Sequence, residues 1–291
     1  MSTSSYVHDI IRTHCTKRTP IPTGMTPQLE VVRDIRAVLF DIYGTLFVSR
    51  SGDVGTSVEQ ASSDTLVESC HAAGLPVPRD PAAALDDFFA AIRRSNEEAM
   101  DNGVAFPEID IREIWREVAS DSIEPAKQQI DRLSVQWECR VNPVWPMPGL
   151  QQCLPGLRDR DCSLGIVSNA QWFTPELFPA LCNASLEELG FRSELVVFSW
   201  KHRQAKPGVY LFERAVDGLA GIGITAEQTL FVGNDMLNDI QVAAQVGLRT
   251  ALFAGDQRSL RLREGDDRVA GVVPDLVITE LTQILDCLAI D

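Results

Sequence analysis

The chain has 291 residues, of which 45% are hydrophobic and 23% charged, so it can bury a large core and has an ordinary globular composition. Its 41 acidic residues outnumber its 26 lysines and arginines, and the net charge of −15 opposes binding to nucleic acid or to an anionic membrane surface. An acidic chain can still hold a local basic pocket, so a small anionic substrate is the expected partner.

The seven cysteines are scattered along the chain and form no CxxC pair. This usage is typical of reduced thiols rather than of a disulfide framework or a zinc site. The N-terminal sequence has no apolar signal segment, and no apolar run is long enough to span a bilayer. We therefore expect a cytoplasmic protein. No sequence feature indicates its oligomeric state.

The predicted elements begin after a polar stretch at residues 1–34, which is interrupted by prolines and a glycine. It predicts an N-terminal extension, either an arm or a frayed end. Short apolar runs then follow at 37–40, 164–167, 195–198, 230–232 and 250–253, with a weaker one at 276–278. Runs of this length, bounded by turn signals, are typical of buried strands. From residue 164 onward helical patterns separate the runs, which predicts a parallel sheet covered by helices on both faces.

Residues 51–145, between the first two strands, have helical periodicity and no predicted strand. Apolar residues recur there at helical spacing, at Leu85, Phe88, Phe89 and Ile92 and again at Ile111, Ile114, Trp115 and Val118. Asp110 precedes the second set in the position of a helix cap. We therefore predict an α/β core made of 35–50 and 146–291, with an all-helical domain inserted at 51–145.

Polar residues follow the apolar runs at the points where the predicted strands end. In open α/β sheets, ligands bind outside the carboxyl ends of the strands, so these residues should converge. They are Asp41, Thr45, Ser168, Asn169, Lys206, Asn234, Asp235 and Asp239. Carboxylates packed together are costly unless a cation shares the site. The set therefore predicts a divalent metal, an Asp–Lys network, or both.

Four segments resemble the motifs of the haloacid dehalogenase (HAD) superfamily, and they occur in the family's order. The sequence FDIYGTL at 40–46 resembles the first motif, and the VSN of 167–169 is similar to the second. Lys206, followed by a proline, resembles the third motif, and the acidic segment 231–240 resembles the fourth. The resemblance implies a Rossmann-like three-layer core, with the segment 51–145 in the place of the family's cap.

The resemblance also implies roles for individual residues. It makes Asp41 the nucleophile, with Lys206 as a cation that contacts the substrate. Other substrate-binding residues would be Thr45, Ser168 and Asn169. A bound Mg²⁺ would draw its ligands from Asp41, Tyr43, Asn234, Asp235 and Asp239, and the motif leaves open whether Asn234 or Asp235 is the ligand.

Tyr43 departs from the pattern of the family's phosphatases, which place a second aspartate two residues after the nucleophile to protonate the leaving alcohol. A phenol with a pKa of about 10 is a poor acid at neutral pH. Tyrosine here resembles the 2-haloacid dehalogenases, in which a carboxylate displaces halide from carbon without a metal. Asp235 points the other way, because it adds a second acid to the fourth motif.

Three hypotheses follow from the sequence. The first is a Mg²⁺-dependent phosphatase that acts on a small phosphorylated metabolite through Asp41, with Tyr43 at the acid/base position. The second is a metal-independent hydrolase of a carbon–halogen bond or a similar bond to carbon. The third is a HAD-fold protein that binds a ligand without turnover. The two acids of the fourth motif make the phosphatase the first expectation.

Overall fold

The computed structural model describes residues 3–49, 61–119 and 125–289. Within these ranges the strands, in chain order, are β1 (Ala37–Phe40), β2 (Phe47–Val48), β3 (Trp145–Pro146), β4 (Ser163–Ser168), β5 (Phe191–Phe198), β6 (Thr229–Gly233), β7 (Arg249–Phe253) and β8 (Leu276–Ile278). The helices are α1 (Thr3–His14), α2 (Ser63–Ala73), α3 (Pro81–Asp101), α4 (Ile111–Val118), α5 (Lys127–Val141), α6 (Leu150–Arg158), α7 (Leu177–Leu181), α8 (Ser199–His202), α9 (Tyr210–Gly221), α10 (Val242–Gln245) and α11 (Gln283–Cys287).

The centre of the molecule is a six-stranded sheet with the strand order β5-β4-β1-β6-β7-β8. Every pair of neighbouring strands in it is parallel. On β1, Val38 and Phe40 pack into the apolar cluster on one face of the sheet, whereas Ala37 and Leu39 pack into the cluster on the other face. The predicted three-layer, Rossmann-like α/β core is therefore confirmed, and each of its strands contains one of the apolar runs.

Within the described residues, the segment between β2 and β3 contains the four helices α2 to α5, joined by loops and turns. Its interior is aromatic: the rings of Phe88 and Trp115 stack with centroids 4.0 Å apart, and Trp137 packs edge-on against both. The Asp110 carboxylate caps α4 by accepting a hydrogen bond from the Arg112 amide at 3.0 Å. Residues 51–60 and 120–124 of the predicted insert lie outside the described residues.

Two short strands at the base of this segment were not predicted. β2 and β3 form an antiparallel pair in which Phe47 lies opposite Pro146 and Val48 lies opposite Trp145. Each has only two residues, and a run this short produces no alternation that can be recognised in a sequence. The pair joins the two chain connections between the helical segment and the sheet.

The prediction of a polar arm at the N-terminus is wrong for the residues of α1. The side chains of α1 that face the interior are apolar and recur at helical spacing, at Tyr6, Val7, Ile10 and Ile11. On one side Arg12 Nε donates to the Ala180 carbonyl at 2.9 Å, and on the other His14 hydrogen-bonds the Gln136 side chain at 3.0 Å. Helix α1 therefore packs against both α5 and α7. None of the described helices is both long and apolar enough to cross a membrane.

Candidate active site

Asp41 lies at the carboxyl edge of the sheet because it directly follows β1. Its amide donates to the Val232 carbonyl at 2.9 Å, so the pairing with β6 continues one residue beyond the strand. The chain then turns through Gly44, whose φ is 87°. A Cβ at Gly44 would lie 2.5 Å from the Cβ of Ser259, so this turn requires glycine for both its backbone angle and its space.

Lys206 is the cation at the centre of the site. Its Nζ donates to Asp41 Oδ1 at 2.7 Å, to Asp239 Oδ1 at 2.5 Å and to the Val167 carbonyl at 3.4 Å. Burial alone would lower the pKa of this ammonium group, but the carboxylates of Asp239 and Asp41 outweigh burial and raise it above its ordinary value. Lys206 is therefore a permanent positive charge, and it fixes the orientation of the Asp41 carboxylate.

Asp239 belongs to a π-helical turn at Met236–Gln241 that follows β6. Its Oδ2 accepts hydrogen bonds from the amides of Asn234 and Asp235, each at 3.0 Å. Burial raises the pKa of Asp239 to about 7, against the lowering influence of Lys206. With Oδ1 bound to Lys206, both oxygens of this carboxylate are engaged within the protein.

Tyr43, at the position where a phosphatase would place its acid, points its hydroxyl into the protein. The hydroxyl lies 2.9 Å from Thr174 Oγ1, and the side chain is buried. Burial and the nearby Glu138 carboxylate raise the pKa of Tyr43 well above its ordinary value. The phenol is therefore neutral at physiological pH and a weaker acid than an exposed tyrosine.

Thr45 and Asn234, predicted to bind substrate and metal respectively, are hydrogen-bonded to one another. Thr45 Oγ1 donates to Asn234 Oδ1 at 3.0 Å, and Asn234 Nδ2 donates to the Ser259 carbonyl at 2.6 Å. Both side chains are buried. They connect the turn after β1 to the loop after β6, so their polar groups are engaged within the protein.

The second predicted motif contributes one residue to the cavity. Ser168 is fully buried, and its Oγ donates to the Asn169 carbonyl at 3.1 Å. The Asn169 amide, which lines the cavity, contacts the backbone of Lys206 on both sides: Oδ1 accepts from Lys206 N at 2.8 Å and Nδ2 donates to Lys206 O at 3.3 Å. Asn169 therefore positions the lysine.

The Asp235 carboxylate is paired with Arg263, a residue that the sequence motifs do not indicate. Asp235 Oδ1 accepts from the amides of Leu237 and Asn238, at 2.9 and 3.1 Å. Arg263 completes the arrangement with a two-pronged ion pair, in which Nε donates to Oδ1 at 3.0 Å and Nη2 donates to Oδ2 at 2.5 Å. Such forked pairs are the strongest arrangement of an arginine and a carboxylate.

These side chains surround a cavity of about 70 Å³. It is lined by Asp41, Tyr43, Asn169, Lys206, Asn234, Asp235, Asn238, Asp239, Arg261 and Arg263. The structure therefore brings together seven of the nine predicted site residues, while Thr45 and Ser168 lie behind the cavity wall. Asn238, Arg261 and Arg263 were missed. A signal for the arginines exists in the run RSLRLR at 258–263, which is unusually basic for an acidic chain and follows β7.

A Mg²⁺ ion in this cavity would need several oxygen ligands with available lone pairs. Asp235 is occupied by Arg263 and by two amides, and Asp239 is occupied by Lys206 and by two amides. Asn234 is engaged with Thr45. Within the described ranges, no three His, Cys, Asp or Glu side chains are arranged to hold a metal ion. In this arrangement the residues do not fit Mg²⁺.

The Asp–Lys–Asp cluster lies at the carboxyl edge of a parallel sheet, where open α/β sheets bind ligands. The family model of haloacid dehalogenase-like hydrolases matches residues 35–247, which is more than half of the chain. The chain therefore belongs to the haloacid dehalogenase-like hydrolases. No curated protein matches the sequence.

Solved structures of both chemical types are similar to this chain. A 2-haloacid dehalogenase from Pseudomonas syringae pv. Tomato DC3000 is 22% identical, with a TM-score of 0.55 over 87% of this chain and 97% of that one. A HAD phosphatase from Thermococcus onnurineus is 16% identical, with a TM-score of 0.51 and the same coverage of both chains. At these identities the likeness shows the fold alone, so the choice between the two chemistries depends on the site.

Proposed function

We propose that the protein is a metal-independent hydrolase in which Asp41 displaces a leaving group from a saturated carbon, with 2-haloacids as the substrate class. The observation that carries this proposal is the arrangement of Tyr43. Its hydroxyl is bonded to Thr174, and its raised pKa keeps the phenol neutral. An alkoxide leaving group needs a proton donor at this position, whereas a halide departs without one.

The other carboxylates of the cavity do not supply that donor. Asp235 is paired with Arg263, and both oxygens of Asp239 already accept hydrogen bonds, Oδ1 from Lys206 and Oδ2 from two backbone amides, so neither directs a proton into the cavity. The third carboxylate is the nucleophile itself. Among the described residues that line the cavity, each acid is thus committed to a cation or to attack. This distribution supports a reaction whose leaving group needs no proton.

The proposed reaction has two steps that balance. In the first, an Asp41 carboxylate oxygen forms a bond to the substrate carbon, and the carbon–halogen bond breaks with its electron pair leaving on the halide. In the second, water adds to the carboxyl carbon of the resulting ester. The hydroxy acid leaves, one proton is released, and the Asp41 carboxylate is restored. Lys206 orients the nucleophile, and Asn169 and Asp239 position Lys206.

We further propose that residues 51–145 form a cap over a core made of 35–50 and 146–291, with residues 1–34 as an extension that docks on both. The cap and core contact one another through the Glu108 carboxylate, which accepts from Ser199 Oγ at 2.6 Å, and through the ion pair of Arg203 with Glu113. A cap of this kind excludes water from the first step when it covers the cavity. Seven buried free thiols support a reducing compartment, and we propose the cytoplasm.

A phosphatase is the second candidate, because the fourth motif keeps two acids, Asp235 and Asp239, beside the nucleophile. Hydrolysis of p-nitrophenyl phosphate with Mg²⁺ and with EDTA tests it directly. Its leaving group needs little protonation, so Tyr43 does not hide the activity. Mg²⁺-dependent release that disappears in Asp41→Asn would replace the first proposal with this one.

The primary test is halide release from 2-chloropropionate and 2-bromopropionate in the presence of EDTA. We expect turnover by the wild type, retention of that turnover after EDTA, and none by Asp41→Asn. A single turnover in H₂¹⁸O should place ¹⁸O in the Asp41 carboxylate, which mass spectrometry of the Asp41 peptide detects. The matched control is Asp217→Asn, whose carboxylate belongs to an exposed ion pair with Arg214. Halide release that persists in Asp41→Asn would exclude the mechanism.

A further inference from the structure

Arg263 reaches the cavity from a loop that is attached to the site at several points. In this loop the Arg261 amide donates to the Asn234 carbonyl at 2.9 Å, and the Arg261 carbonyl accepts from the Met236 amide at 2.8 Å. Ser259 Oγ donates to the Gly44 carbonyl at 3.3 Å. The loop is therefore bonded to the turn after β1 and to the loop after β6. The position of Arg263 in the cavity wall is therefore fixed by the hydrogen bonds of its loop.

The loop has its own internal support. Asp256 is buried and accepts from Arg258 Nε at 3.0 Å, and Arg258 Nη2 donates to the Thr19 carbonyl at 2.6 Å. The Arg263 backbone has a φ of 56°, a left-handed conformation that few side chains adopt without support. A strained backbone that persists beside a cavity is a common mark of a functional position.

The Arg263 guanidinium satisfies the carboxylate that a metal would otherwise use. Through its ion pair it engages both oxygens of Asp235, and the side chain of Asp235 is only 9% exposed. The Arg263 side chain itself is 37% exposed, and it lines the cavity. A guanidinium in this setting can bind a carboxylate or phosphate through parallel hydrogen bonds.

We propose that Arg263 is the resident cation of the site: it occupies Asp235 in place of a divalent metal and binds the anionic group of the substrate. The second half of this inference rests on the proposed function, because a 2-haloacid carries the carboxylate that Arg263 binds. The first half concerns Asp235 alone and holds for any substrate. Arg263 is thus a specificity-determining residue, and Asp235 positions it.

Mn²⁺ binding, followed by the loss of its free EPR signal, tests the first half without any substrate. We expect no stoichiometric binding by the wild type and an affinity at least about tenfold higher in Arg263→Gln, because the Asp235 carboxylate is then available beside Asp41. The gain should disappear in Arg263→Gln/Asp235→Asn. The matched control is Arg268→Gln, which breaks the exposed forked pair with Asp266 and should bind like the wild type.

Calorimetric titration with propionate, an unreactive carboxylate, tests the second half. We expect Arg263→Gln to weaken propionate binding about tenfold to a hundredfold, the size of a lost charged hydrogen bond. Arg263→Lys keeps the charge without the fork and should fall between the two. Halide-release kinetics should show the loss mainly in KM. Circular dichroism of each variant checks that it is folded. If Arg263→Gln does not fold, the comparison is made between Arg263→Lys and the wild type.

The outcomes separate the inference from the proposed function. Wild-type protein that binds Mn²⁺ as tightly as Arg263→Gln, or a folded Arg263→Gln that gains no Mn²⁺ affinity, would overturn the resident-cation role. Equal propionate affinity in wild type and Arg263→Gln would overturn the anion-binding role. If the wild type releases no halide but Mn²⁺ and propionate behave as expected, the proposed reaction fails and the role of Arg263 stands.

Discussion

The side-chain amide of Asn169 makes two hydrogen bonds with the backbone of Lys206, accepting from its N–H at 2.8 Å and donating to its carbonyl at 3.3 Å. The two residues are far apart in the chain and belong to different predicted motifs. Their pairing connects the end of β4 to the segment that carries the lysine. The position of the Lys206 ammonium beside Asp41 thus depends on a side chain that we expect to take no part in the chemistry.

Replacing Asn169 with alanine should therefore lower kcat with little change in KM. A displacement of about 1 Å in a catalytic group can cost about a hundredfold in rate, and we expect a loss of up to that size. Steady-state halide release measures it. Asn102→Ala, whose exposed amide only donates to the Glu98 carbonyl, is the matched control. A KM effect without a kcat effect would show that Asn169 binds substrate instead.

Replacing Lys206 with methionine should strongly destabilise the fold. The change leaves Asp41 and Asp239 buried beside each other without their shared cation, and breaking a buried pair in this way costs about 3–5 kcal/mol. Urea unfolding followed by tryptophan fluorescence gives the change in the free energy of unfolding. Lys201→Met, at an exposed position, should change this free energy little. Equal stability of Lys206→Met and wild type would contradict the ion-pair arrangement.

Asp239 should produce opposite pH dependences of stability and activity. Its pKa rises from 3.8 to about 7 on folding, mainly through burial, so the folded protein holds this proton more tightly than the unfolded chain does. Its stabilising contribution is therefore complete below about 3.8 and is lost as the pH rises through about 7. Activity should instead rise with pH through about 7, because the ionised carboxylate holds Lys206 more firmly.

Profiles of kcat/KM and of the free energy of unfolding between pH 5 and pH 9 (about two units on either side of the expected midpoint) measure both trends. Asp239→Asn should remove the inflection from both profiles, because it cannot titrate. An inflection that remains unchanged in this variant would assign the titration to another group.

Replacing Tyr43 with phenylalanine should leave the pH profile of kcat unchanged. The phenol does not exchange protons in the proposed reaction, so the variant loses only its hydrogen bond with Thr174, worth about 1 kcal/mol of stability. Halide-release assays at a series of pH values measure the pH profile of kcat, and urea unfolding measures the stability. A large fall in kcat with a shifted profile would give Tyr43 a role in proton transfer and would weaken the haloacid assignment.

The parts of the molecule that the sequence predicts well are those that depend on local pattern. The strands of the sheet were predictable because each contains a short apolar run, as at Ala37–Phe40, where all four residues are buried. The convergence of Asp41, Lys206 and Asp239 followed from the rule that ligands bind at the carboxyl ends of parallel strands. Residues adjacent to such strand ends can therefore be listed from the sequence alone.

What could not be predicted depends on contacts between distant segments. Arg263 pairs with Asp235 only because the loop after β7 folds back onto the loop after β6. Thr45 turned out to bond Asn234, which no spacing in the sequence indicates. The amphipathic pattern of α1 was visible, but its polar surroundings and the prolines that follow it favoured an arm. Roles in substrate binding for Thr45 and Ser168 remain predictions.

Helix α1 has a mechanical consequence for the molecule. Its His8 and Arg12 side chains bond Glu176 and the Ala180 carbonyl on the sheet side, while His14 bonds Gln136 on the side of the helical segment. Any movement that separates the two sides must break some of these hydrogen bonds or carry the helix along with one side. The N-terminal helix thus ties the helical segment to the sheet side, so a relative movement of the two sides costs these hydrogen bonds.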